Sequence, residues 1–223
     1  MINMLIRSGI ILQPRFSTML AAEHPSKNNV EYYKMDCTIC GANYYENLDN
    51  KIKQILSRPE NTTFTFDLLE IEKSKENKKI VLQEKHLQMK IGEIWQEAIG
   101  SYTDFENLRV GHETGLDIIS HKRKIAIELK NRTNTDNASS KKSNFDKLAN
   151  FKQNNPEYKC IYATLNADTE EKTYKSLPKI IMHNGVEIEH HIGIHFLDFI
   201  FGDYGKTKYT IDFIKECINK YTL

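Results

Sequence analysis

"GLDIISHKRKIAIELKNRTNT", residues 115–135, is the stretch whose reading sets the fold. Two short apolar runs, "GLDIIS" and "KIAIELK", flank a polar connection, "HKRK". Isoleucine-rich runs of this length separated by a few polar residues predict a β-hairpin. Strand side chains alternate between faces. Ile125, Ile127 and Leu129 therefore share one face, and Ala126, Glu128 and Lys130 share the other. A turn near His121 brings Asp117 opposite residues 126–128, within cross-strand reach of Glu128.

Two carboxylates at that separation repel unless a positive charge lies between them. A hard divalent cation is suited to the task. Mg²⁺ takes oxygen ligands, commonly one or two carboxylates, with water and phosphate oxygens completing its shell. Lys130, two residues beyond Glu128 on the same face, adds a charge that can stabilise a phosphate or orient water. These are the parts of a metal-assisted phosphodiester hydrolase. A Glu-x-Lys triplet on a solvated strand is common by chance, so the surroundings have to decide. The strand is short and strongly apolar, which argues against a simply solvated second face. Charge is also concentrated there: His121–Lys147 holds eight Lys/Arg against three Asp/Glu, while the chain as a whole carries only +1. That local excess is what a phosphate-binding surface needs.

The rest of the chain frames this hairpin. Apolar content of 39% and charged content of 27% describe a globular chain rather than a disordered one. At 223 residues the length fits one generous domain or a domain with an extension. The spacing predicts helices over 44–56, 84–99, 143–153 and 209–221, with Ser143 as an N-cap for the third. In the second, Leu87, Ile91, Ile94 and Ala98 share a face and Trp95 anchors the core. "KCIYATL", residues 159–165, reads as a further strand. "TFTFDLLEIE", residues 63–72, reads as either a strand or a helix start, and "IGIHFLDFIFG" is apolar but undecided. Helix, hairpin, helix and strand predict an α/β fold around a mixed sheet.

Four cysteines are too few for a disulfide scaffold at this length. Cys37 and Cys40 form a C-x-x-C without a second pair or nearby histidine, so a reduced thiol set is expected rather than zinc. His190, His191 and His195 sit in a strand-like stretch where the four-residue spacing does not make a metal site. Tyr32-Tyr33 and Tyr44-Tyr45 suit packing better than base stacking. No apolar run approaches the ~20 residues needed to cross a bilayer. The acid-free first 22 residues resemble a transit peptide only weakly, so a mature N-terminal extension and a cytoplasmic, intracellular protein without a membrane partner are expected.

"GLDII" followed by "AIELK", between an upstream helix and a following helix–strand pair, resembles the PD-(D/E)XK nuclease superfamily, with Leu116-Asp117 in place of its Pro-Asp. "KIGEIWQEAIG" (90–100) and "ELKNRTNTDNASSKKSNFDKL" (128–148) resemble a branch of type II restriction endonucleases that cut short palindromes such as GGNCC. The resemblance spans roughly residues 85–165 and, more loosely, "HFLDFIFGD". It implies a restriction-endonuclease-like core over 81–223, a central mixed sheet flanked by helices, behind a mainly helical or irregular extension over 1–80.

It further implies Asp117, Glu128 and Lys130 as the catalytic triplet. Asp117, Glu128 and the Leu129 carbonyl would hold Mg²⁺, with Mn²⁺ able to substitute. Glu93 would complete the site as a direct or water-bridged ligand. Asn131, Arg132, Asn134, Ser140, Lys141 and Lys142 would lie along the DNA. The lysines suit phosphates, and arginine and asparagine suit guanine and adenine edges. A palindromic duplex implies a homodimer with each subunit cutting one strand, and a cognate DNA methyltransferase as genetic partner. The rival readings are a repair, recombination or mobile-element nuclease of the same fold, and a non-catalytic nucleic-acid-binding module.

Overall fold

The computed structural model describes residues 43–59, 72–109, 111–133 and 138–222. Cys37, Cys40, Tyr32, Tyr33, Asn134, most of "TFTFDLLEIE" and the N-terminal 42 residues lie outside them.

The described elements run α1 (Asn43–Leu56), α2 (Glu72–Gly100), β1 (Glu106–Asn107), β2 (Ile118–Ser120), β3 (Ile125–Arg132), α3 (Ala138–Asn154), β4 (Lys159–Asn166), α4 (Glu170–Lys175), β5 (Lys179–His183), β6 (Val186–Ile192), α5 (Gly193–Phe201) and α6 (Tyr204–Thr222). One six-stranded sheet has the order β1-β2-β3-β4-β6-β5. β3, β4 and β6 are mutually parallel, and the outer pairs are antiparallel. Parallel neighbours need a crossover, and α3 supplies the one from β3 to β4. The α/β class, mixed sheet and flanking helices are those expected from the sequence.

Alternation along β3 separates the two cores. Ile125, Ile127 and Leu129 join Ile161, Ala163 and Leu165 of β4 under α1, α2, α5 and α6. Ala126 joins Ile119, Cys160, Tyr162 and Ile188 under Phe145, Leu148 and Ala149 of α3. Both faces are covered, so residues 125–129 are all buried and the strand reads as a continuous apolar run around Glu128. α1 belongs to the first layer: Tyr44, Leu48, Ile52 and Ile55 are buried, and the Tyr44 hydroxyl donates to the Ala98 carbonyl across 2.7 Å. Ile214 and Cys217 of α6 are buried there, with Ile211, Ile218 and Tyr221 packed alongside.

Several boundaries differ from the sequence reading. α2 begins at Glu72, so the charged stretch before residue 84 is helical; its sequence, dominated by lysine and glutamate, carries no apolar periodicity to reveal it. α3 begins at Ala138, five residues before Ser143. Its opening turns are exposed, and only from Asn144 do buried positions appear. The undecided "IGIHFLDFIFG" is helical over Gly193–Phe201 and ends in the left-handed Gly202. β1, α4 and β5 have no counterpart in the sequence reading. They are short and mostly exposed, and β5 is an edge strand showing Ile180 and Met182 to solvent.

Candidate active site

The hairpin register fixes the site. Ile118 pairs with Ile127 and Ser120 with Ile125, leaving His121–Lys124 as the turn. The next position down the ladder is Asp117, whose N–H donates to the Ile127 carbonyl across 3.2 Å. Asp117 therefore stands beside Glu128, at the point where β2 begins. Gly115 precedes it with φ +64, a left-handed turn that glycine adopts without Cβ strain.

The Asp117 carboxylate is held from two sides. Its Oδ2 accepts from the Leu129 N–H at 2.8 Å, and its Oδ1 accepts from Gln96 Nε2 at 3.0 Å. Gln96 reaches it because the end of α2 packs closely on β1. At Gly100 a Cβ would lie 2.5 Å from that of Asn107, so only glycine permits this approach. Peptide groups alternate sides along a strand. The Leu129 carbonyl therefore points toward the same edge as its N–H, next to the Asp117 carboxylate.

Glu128 is 1% exposed. Its Oε1 accepts from Lys130 Nζ at 2.8 Å and has Lys147 Nζ of α3 at 3.7 Å. Its Oε2 is buried and has no hydrogen-bond partner among the described residues. Removal from water raises both carboxyl pKa values above the ordinary range, and the negative charge of Asp117 raises Glu128 further. The Leu129 N–H, Lys130, Lys147 and Gln96 offset part of this at Asp117. A buried carboxylate oxygen without a partner is costly, and desolvated, mutually repelling carboxylates are enriched at functional sites.

The structure thus brings together Asp117, Glu128, Leu129 and Lys130. Glu93 lies one helical turn before Gln96, and both of its oxygens accept from Arg58 Nη1 at 2.8 Å. Asn131 is tied into the fold: its side chain donates to Gln88 at 3.4 Å, and Asn166 donates to its carbonyl and Oδ1. Arg132 is exposed at the end of β3, and Ser140, Lys141 and Lys142 are exposed in the opening turns of α3. Gln96 and Lys147 went unnoticed in the sequence. Gln96 is hidden in "EIWQ", where Glu93 draws the eye. Lys147 meets the site only through the β3–α3 crossover, which local spacing does not reveal.

Two hollows flank the sheet. One of about 690 Å³ lies on the α3 side and is linked to the carboxylates through Lys147, which forms part of its wall and stands 3.7 Å from Glu128 Oε1. A larger one of about 840 Å³ lies beyond the end of β3, between α2, α5 and α6, with Asn131, Arg132 and Thr133 on its rim. Neither hollow is lined by Asp117 or Glu128, so size does not mark the chemistry here. Of the other candidate groups, His191 is buried and pairs with Glu189 at 2.8 Å. The Cys160 and Cys217 thiols are pushed up to about 11 and about 12 by burial, which makes them poor nucleophiles.

No described helix is long and apolar enough to cross a membrane. No curated protein and no solved structure matches the chain. The family model of the Eco47II restriction endonuclease matches residues 26–191, well over half the chain, from before α1 into β6. With the carboxylate hairpin inside that span, the chain belongs to the Eco47II restriction endonuclease family.

Proposed function

We propose that this restriction endonuclease is a type II enzyme of the PD-(D/E)XK superfamily, hydrolysing phosphodiester bonds of double-stranded DNA at a short palindromic site with Mg²⁺. The resemblance to enzymes that cut GGNCC names the first target to test. The observation that carries the reading is the Glu128 Oε2 atom, buried without a partner beside a second desolvated carboxylate. Two neighbouring anionic oxygen donors suit a hard cation such as Mg²⁺.

Asp117, Glu128 and the Leu129 carbonyl would hold the ion, with Mn²⁺ able to replace Mg²⁺. When bound, such a cation screens the phosphate's charge and makes water more acidic. The chain's own groups do the rest. Gln96 and the Leu129 N–H fix the orientation of Asp117, so its lone pairs are presented without rearrangement. Lys130 holds a positive charge beside the carboxylates, placed to stabilise the negative charge that builds on the phosphate oxygens in the transition state. A role for Glu93 requires Arg58 to release it. Arg132, Lys141 and Lys142, with Asn131, Asn134 and Ser140, form the DNA-facing set, the cations on phosphates. A palindromic target calls for a homodimer, and protection of the host's own sites calls for a DNA methyltransferase.

Digestion of a phage genome in Mg²⁺, with the fragment ends mapped, tests the reading. Discrete fragments sharing one palindrome are expected, with none formed in chelator. Cutting only at branches or mismatches would move the assignment to a repair nuclease.

A further inference from the structure

Lys147 has no place in the catalytic triplet, yet its ammonium stands 3.7 Å from Glu128 Oε1, the oxygen that Lys130 already contacts at 2.8 Å. One carboxylate oxygen thus faces two ammonium groups, and the second lies beyond hydrogen-bond distance. Lys147 is also the more exposed of the two, 38% against 23%, and comes from a different element. Its stem rests on Gly115, where a Cβ would sit 3.5 Å from the lysine Cδ, so the base of the side chain is steadied. Among the described residues, its head is anchored by Asn144 Oδ1 at 3.3 Å and the long contact with Glu128.

Beside that head is the hollow of about 690 Å³, bounded by polar side chains of His112, Thr114, His121, Asn150 and Asn154 and by two exposed acids, Glu106 and Glu113. A divalent cation joining Glu128 would add a third cation at one carboxylate. The ammonium with the longer contact and the more exposed side chain is the one to yield.

We propose that Lys147 is a phosphate-holding residue: in the DNA complex its ammonium turns from Glu128 into the adjoining hollow and pairs with a backbone phosphate next to the scissile one. This rests on the nuclease reading above. The contact is sequence-independent, since phosphates position a protein on DNA while base edges specify the site. It supplies what the exposed lysines of α3 cannot, a cation already at the mouth of the carboxylate site.

The test uses the full chain and a duplex that the wild type cuts. Binding is measured in Ca²⁺, which supports assembly without cleavage, across a salt series. Lys147→Gln is expected to weaken binding about tenfold at moderate salt and to reduce the salt slope by about one phosphate contact. Its single-turnover KM should rise while kcat stays within a few-fold of wild type, and Lys147→Arg should restore most of the loss. Glu113→Gln should shift affinity the opposite way. Unchanged affinity and slope in Lys147→Gln, or a fall in kcat alone, overturns the assignment of Lys147. Failure of the wild type itself to cut any duplex overturns the nuclease reading instead.

Discussion

Gln96 donates to Asp117 Oδ1 across 3.0 Å, joining the long helix α2 to the carboxylate at the start of β2. Partners that orient a metal-binding carboxylate commonly contribute 10–100-fold to affinity or rate. Gln96→Ala is therefore expected to slow cleavage about tenfold and to raise the half-saturating Mg²⁺ concentration, with little change in DNA affinity. Gln96→Glu would place a third carboxylate there and demand still more Mg²⁺. Glu93→Ala, by contrast, first releases Arg58, so its effect should fall on stability and remain small, as for exposed ion pairs. A Mg²⁺ titration of cleavage for the three variants separates these outcomes.

The carboxylate pair should cost the protein stability. Both pKa values are raised, chiefly by burial, so the folded chain binds more protons than the unfolded chain. Stability from these groups therefore falls as pH rises from the ordinary carboxylate value of about 4 through the raised ones. Asp117→Asn and Glu128→Gln are expected to melt a few degrees higher than wild type near neutral pH, with the gain vanishing in acid. Mg²⁺ should raise the wild-type melting temperature and leave both variants unmoved. Calorimetry at several pH values, with and without Mg²⁺, checks this. A lower neutral melting temperature in both variants would contradict it.

Of the two ammonium groups beside Glu128, Lys130 is the closer. Lys130→Met is expected to lower the single-turnover cleavage rate about 10²–10⁴-fold while leaving DNA affinity in Ca²⁺ near wild type. Lys130→Arg should rescue poorly, because a planar fork does not replace a compact ammonium against a buried oxygen. Quenched-flow cleavage and binding on one duplex measure both quantities.

Leu48 of α1 is 1% exposed in the same cluster as Ile127. Leu48→Ala is expected to cost about 2–5 kcal/mol of stability, the range for a fully buried leucine. Denaturant unfolding tests it. A loss well under 1 kcal/mol would show that α1 is a detachable part of the molecule.

The sequence disclosed most about the places where a short-range rule operates. Period-two alternation gave the two faces of β3, and the hairpin's size put Asp117 beside Glu128, because both depend only on local chain geometry. Ile94 and Ala98 marked the buried face of α2, since a buried helix face leaves a period. Where elements are solvated, no period exists: the opening turns of α3 and the edge strand β5 were lost for that reason, and the start of α2 is a run of charged residues with no apolar period to read. Gln96 and Lys147 escaped for another reason. Each reaches the carboxylates from a distant helix, and helix placement over a sheet is decided by packing. The close approach at Gly100 and the crossover after β3 have no signature within a few residues of either side chain.

The four-residue turn His121–Lys124 leads to one further conclusion about which changes the site can bear. Asp117, Glu128, Leu129 and Lys130 come from one hairpin, so a single ladder register aligns them all. Extra residues at the tip can bulge into solvent and leave the ladder intact. A slip of one residue cannot be absorbed, because it would turn Ile127 toward α3 and drive Glu128 into the core beneath α2. A slip of two would restore the faces but carry Glu128 past Asp117. Length variation should therefore be tolerated at the tip of this hairpin and lethal to activity within its strands, even where every catalytic side chain is retained.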